Sequence, residues 1–119
     1  MSVGARGERI AAKYLKKQGY YILARNLRNR FGEVDLLAQA PDGRTIVIVE
    51  VKTGEGGPIA PEVRVNQRKQ YKLAQLAAQM AKLLEFEDRP IRFDLVGVDL
   101  PKAGKPRVRH YISAFESPW

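Results

Sequence analysis

The chain contains no cysteine. That excludes a disulfide framework, a thiolate nucleophile, a cysteine-held iron–sulfur cluster and any cysteine-ligated zinc site. It fits a reducing, cytoplasmic setting. Histidine is nearly as scarce. His110 is the single one, so a histidine pair cannot hold a metal within one chain, and a serine triad would have to use that ring. Long apolar runs are missing as well. Ile46-Val47-Ile48-Val49 is far short of the ~20 residues a membrane helix needs, so no membrane contact is expected. The N-terminus, MSVGARGERIAAKYLKK, has charges where a signal peptide needs an apolar stretch.

What remains is an ordinary globular composition. The 119 residues are 45% hydrophobic and 29% charged, which predicts a single domain over 1–119 with one real core. The net charge is +8, and it is unevenly spread. Residues 1–30 carry a net +7, residues 31–63 a net −4, residues 64–83 a net +5, and residues 84–119 balance. An acidic middle between two basic segments suits a polyanion such as DNA or RNA.

The apolar spacing predicts an α/β fold. Ile10, Ala11, Tyr14 and Leu15 form a helical stripe over about 4–18, and Gly19 stops it. Glu8 falls on or beside the inward stripe. Residues 20–25 read as a strand, and Arg25, Arg28 and Arg30 then fall in a loop suited to phosphates. In 33–39, Val34, Leu36 and Ala38 are expected on one face and Glu33, Asp35 and Leu37 on the other. Pro41-Asp42-Gly43 is a turn. Residues 45–52 form the clearest strand, with Val47, Val49 and Val51 on one face and Ile46, Ile48, Glu50 and Lys52 on the other. These two strands should make an antiparallel hairpin. Residues 53–61 read as a loop, 62–85 as a second helix, and 91–98 and 107–115 as further strands. The order is α-β-β-β-α-β-β, a central mixed sheet with flanking helices.

Acids inside apolar strands are the odd feature. An ionised Asp35 or Glu50 is costly there unless paired or bound to a cation. The hairpin brings both to one end of the sheet. Oxygen-only ligands select a hard ion, Mg²⁺ or Mn²⁺. Lys52, two residues after Glu50, shares its face and suits the stabilisation of a phosphoryl transition state. Glu8 suits a supporting role, and Gln67, Arg68 or Lys69 at the start of the second helix could touch phosphate. Together these residues suit metal-assisted hydrolysis of a phosphodiester. Glu33 reads as a solvated strand-end acid rather than a second ligand, Asp94 as an acid satisfied by an arginine or the backbone, and His110 as a structural or surface histidine. Two other classes stay open: a non-catalytic nucleic-acid-binding module with a structural acidic cluster, and a partner in a protein complex.

The ordered set Gly7-Glu8, Ala11, Tyr14-Leu15, Gly19-Tyr20, Arg25-Asn26, Gly32-Glu33-Val34-Asp35-Leu36 and Val49-Glu50-Val51-Lys52 resembles the YraN-like family of small bacterial proteins. Residues 92–98 resemble its late strand. Val34 stands where the motif's usual name has proline. The resemblance implies a restriction-endonuclease-like, or PD-(D/E)xK, fold related to Holliday junction resolvases. It implies metal-ligand roles for Asp35 and Glu50, a catalytic role for Lys52 and a supporting one for Glu8. It also implies a DNA substrate, branched DNA included, and a homodimer.

Overall fold

Ser2 starts the first helix, α1 (Val3–Lys17): its hydroxyl accepts the Ala5 N–H at 3.1 Å, satisfying one of the donors a helix start leaves open. Lys16 and Lys17 in the last turn favour the negative end of the helix dipole. Gly19, at φ +93°, ends it. Its N–H donates to the Lys16 carbonyl and the next N–H, of Tyr20, to that of Leu15, a Schellman closure that favours glycine at the left-handed position.

The computed structural model describes residues 1–29, 32–55 and 88–114, with positions 75, 76, 78, 79 and 82. After α1 come β1 (Tyr21–Asn29), β2 (Gly32–Gln39), β3 (Ile46–Gly54), β4 (Ile91–Asp99) and β5 (Arg107–Tyr111). They form one five-stranded sheet in chain order. Neighbours are antiparallel except β3 and β4, which are parallel. A parallel pair needs a crossover, and residues 55–90 supply it. The described positions inside it, Gln75, Leu76, Ala78, Gln79 and Lys82, are helical. The expected mixed α/β sheet is present.

Two apolar clusters cover the two faces. Ala11, Ala12 and Leu15 of α1 pack with Leu36, Ala38, Val47, Val49, Val51, Val96 and Val98. Leu76 packs with Val34, Leu37, Ile46, Ile48 and Phe93. β3 is thus buried on both sides, which is why its apolar run is continuous rather than alternating with polar residues. Each of its branched side chains contributes about 1.5–3 kcal/mol by leaving water. The β2–β3 hairpin forms as expected. Asp42 closes its turn by accepting the Arg44 and Thr45 N–H groups at 2.8 Å each, with Gly43 at φ +73°.

Several sequence boundaries are corrected. The first strand runs on to Asn29, so Arg25 and Arg28 lie on a strand, paired with Leu36 and Glu33, and not in a loop. β3 extends to Gly54, shortening the loop expected from residue 53. The last strand stops at Tyr111. Ser113 takes φ +54° and its N–H turns inward onto Asp94. Most of the second helix expected over 62–85, with Gln67, Arg68 and Lys69, lies outside the described residues, as does Arg30. Among the described residues no helix is long and apolar enough to cross a membrane.

Candidate active site

The β2–β3 ladder runs from Gln39↔Ile46 to Leu36↔Val49 and then stops. The next rung would pair Asp35 with Glu50. Instead Asp35 Oδ2 accepts the Val51 N–H at 2.8 Å. A side-chain carboxylate has replaced a backbone carbonyl as the partner of β3, so the two strands part there. The side-chain alternation breaks at the same place. Val34 packs with Leu37 in the second cluster, not with Leu36 and Ala38 in the first. The expectation that Val34, Leu36 and Ala38 share a face is therefore wrong, and Asp35 is the reason.

Glu50 is 3% exposed, and its Oε1 lies 3.5 Å from Lys52 Nζ. The i, i+2 spacing on one strand face brings the pair together. Glu8 arrives from α1, and Gly7 lets it come close. A Cβ on Gly7 would fall 1.7 Å from the Thr53 hydroxyl, so a side chain there would push α1 off the end of β3. Glu8, Glu33 and Asp35 each offer a carboxylate oxygen, all within 4.8 Å of one another. Glu33, read from sequence as a solvated acid, belongs to this cluster. Its pairing with Arg28 across β1 and β2, at 3.4 Å, leaves it at the cluster's rim.

Asn26 was not singled out from sequence as a site residue. It sits in β1 at φ +52°, a left-handed kink that asparagine tolerates better than most residues. With its amide nitrogen turned to Glu8, it donates to both carboxylate oxygens, at 2.9 and 3.3 Å. Its poor strand propensity made the sequence read the strand as ending just before it.

The electrostatics record the crowding. Burial, then the charge of Glu50, pushes Asp35 up to about 7, against the pull of the Val51 N–H. Burial also raises Glu8, while the Asn26 amide lowers it and Glu33 and Glu50 repel it. Like charges packed this closely favour protonation or a bound cation. The all-oxygen donor set drawn from α1 and β2 fits a hard divalent ion.

Arg25 and Arg28 are exposed on β1. Asp94 and His110 lie apart from the cluster, in a network of their own. Asp94, 0% exposed, accepts two bonds from Arg92 at 2.8 Å each, one contact with His110 Nε2 at 2.7 Å, and the Ser113 N–H at 3.1 Å. The Tyr20 hydroxyl accepts from Arg92 at 2.7 Å. The satisfied acid agrees with the sequence reading, and of the two readings of His110, structural or surface, this arrangement agrees with the structural one.

The family model described as Uncharacterised protein family UPF0102 matches residues 7–98, a span that holds Glu8, Glu33, Asp35, Glu50 and Lys52. A UPF0102 protein of Symbiobacterium thermophilum is 44% identical over 116 residues, covering 97% of each chain. Another, of Pelobacter propionicus, is 38% identical over 118 residues, covering 97% of this chain and 83% of that one. Among solved structures, Hjc of Archaeoglobus fulgidus, a Holliday junction resolvase, aligns with a TM-score of 0.48 and 19% identity, over 88% of this chain and 74% of that one. SfsA of Pyrococcus furiosus in complex with Ca²⁺ aligns with a TM-score of 0.38 and 19% identity, over 90% of this chain and 61% of that one. The family match agrees with the resemblance drawn from the ordered motifs.

Proposed function

The chain belongs to Uncharacterised protein family UPF0102, and from its acidic site we propose that it is a divalent-metal-dependent nuclease hydrolysing phosphodiester bonds of cytoplasmic DNA. One observation carries this reading. Glu8, Glu33 and Asp35 converge from two elements onto one point, with the buried Glu50 and its Lys52 partner beside them. A purely structural cluster gains little from gathering so many like charges.

Asp35 and Glu50 would hold Mg²⁺ or Mn²⁺, with Glu8 and Glu33 as further oxygen donors. A bound ion would supply Lewis acidity toward the phosphodiester and toward water. The chain's own residues do the rest. The Val51 N–H holds one Asp35 oxygen, which fixes how the other is presented. Asn26 positions Glu8. Lys52 places an ammonium beside the cluster, where it can donate to a phosphoryl oxygen as negative charge builds on it. The +8 net charge draws a polyanion to a site whose acids alone would repel it. Arg25 and Arg28, and in the undescribed segments Arg30, Arg68 and Lys69, are the backbone contacts this reading carries. Cutting two strands symmetrically calls for two sites, hence a homodimer, which sedimentation with and without DNA checks.

The direct experiment is cleavage of labelled four-way junction, flap, duplex and single-stranded DNA in Mg²⁺ and in Mn²⁺, with Glu50→Gln beside the wild type. Branched substrates come first because the motif set resembles that of resolvases. Metal-dependent cleavage that Glu50→Gln loses supports the reading. Intact DNA under both metals, with binding retained, overturns it in favour of a binding module.

A further inference from the structure

Residues 84–119 carry no net charge, and that average hides a local concentration. Lys102, Lys105, Arg107 and Arg109 fall within eight residues that contain no acid. The fold sets one of them apart. Arg109 is held by Asp99 through two bonds at 2.8 and 3.1 Å. Lys102, Lys105 and Arg107 are exposed, and none makes an ion pair or side-chain hydrogen bond among the described residues.

Lys102 and Lys105 sit on the β4–β5 connection and Arg107 opens β5 opposite Asp99, and the sheet decides where that connection lies. Glu50 is in register with Leu95, Lys52 with Gly97 and Gly54 with Asp99. The Leu100 N–H then donates to the Gly54 carbonyl at 2.7 Å. The connection therefore leaves the sheet just beyond the end of β3 that carries Glu50 and Lys52. Leu95 and Asp99 are about 13 Å apart along a strand at ~3.3 Å per residue. That is about four nucleotides at ~3.4 Å per step along one strand. The loop is also shaped. Pro101 and Pro106 bracket it, Gly104 turns it at φ +97°, and a hollow of about 580 Å³ opens between the prolines, Asp99, Lys105 and Arg107. Three unneutralised cations, two on a proline-bracketed loop and one at the start of the strand after it, repel one another, a cost that an anionic ligand removes.

We infer that the β4–β5 hairpin, through Lys102, Lys105 and Arg107, binds the phosphate backbone of the nucleic acid a few nucleotides from the acidic cluster. The inference rests on the nuclease reading for its ligand, and it names a backbone-contacting surface for that site. Acids that gather a cation repel the strand they act on, so the grip on the strand has to lie to one side. The hairpin supplies it at the correct end of the sheet.

The test separates this surface from net charge. Binding of a fluorescein-labelled DNA duplex is followed by anisotropy across a salt series, once in EDTA and once in Ca²⁺. The triple variant Lys102→Ala/Lys105→Ala/Arg107→Ala is compared with Lys13→Ala/Lys16→Ala/Lys17→Ala, which removes equal charge from the far end of α1. The N-terminal half of α1 sets Gly7 against Thr53 and the helix is followed by Tyr20 against Arg92, so its last turn lies at the opposite end of the sheet. Thermal melting confirms that both variants are folded. The hairpin triple should bind about 10- to 100-fold more weakly at low salt, and its slope of log K against log salt should fall by about 2–3. The α1 triple should change affinity by less than about threefold. Equal weakening in the two triples, an unchanged salt slope in the hairpin triple, or no binding by the wild type overturns the inference. Cleavage read alongside keeps the two readings apart. If the hairpin triple cuts at the wild-type rate with saturating DNA and binds with wild-type affinity, the hairpin inference fails and the nuclease reading stands. If no protein cuts but the hairpin triple alone loses binding, the reverse holds.

Discussion

Two acids flank β3 within two residues of each other, and they live in opposite worlds. Asp94 stands in register with Val49 and Asp35 takes the Val51 N–H. Burial alone would raise both. At Asp94 the bonds from His110, Arg92 and the Ser113 N–H outweigh burial and hold the carboxyl below its ordinary value. At Asp35 a single N–H opposes burial, Glu50 and Glu8, and the carboxyl rises to about 7. A buried acid supplied with its counter-charge and donors is part of the architecture. A buried acid surrounded by other acids is a site waiting for a cation. The same strand, β3, serves both, with Asp94 tying β4 and β5 to the α1 face and Asp35 opening the β2–β3 edge.

Substitutions should split the two. The largest effect belongs to Asp94→Asn. It leaves Arg92 without its bidentate acceptor in a buried place, and urea denaturation should show a loss of about 3–5 kcal/mol. Asp35→Asn should act in the other direction. In metal-free buffer near pH 8 it removes a repelled charge while the amide oxygen can still accept from Val51, so stability should rise by about 2 kcal/mol. Loss of stability in both variants would break the comparison. pH sharpens it further. Asp35 has a folded value above its unfolded one, so its stabilising contribution is complete below about pH 4 and is lost as pH rises through about 7. The metal-free melting temperature should therefore fall between about pH 4 and 7, and Asp35→Asn should flatten that slope. The smallest effect on stability is expected from Asn26→Gly, which keeps the left-handed kink and deletes the bond to Glu8. Denaturation should move by less than about 1 kcal/mol, while Mn²⁺ affinity should drop about tenfold.

The sequence was most legible where a local rule and the tertiary structure agree. Gly19 ended a helix and Asp42 closed a turn, each by chemistry confined to a few neighbours. The valines of β3 and the Glu50–Lys52 pair followed from a period of two. Legibility failed where a side chain took over a backbone role. Nothing local says that Asp35 replaces a ladder rung, so the alternation was carried through it and Val34 was assigned to the wrong face. Glu33 looked solvated because its neighbours come from other elements, α1 above all. Arg25 and Arg28 looked like loop residues because the kink at Asn26 resembles a strand end. The hairpin cations were hidden by the six acids averaged with them over residues 84–119.

The central claim is that the crowded acids are a cation site, and Mn²⁺ titration followed by electron paramagnetic resonance tests it most directly. Wild type, Asp35→Asn and the surface control Asp42→Asn are compared at pH 7.5. Saturable binding of about one ion per chain, lost in Asp35→Asn and kept in Asp42→Asn, is the expected result. No saturable binding by the wild type, or binding that survives in Asp35→Asn, would contradict it.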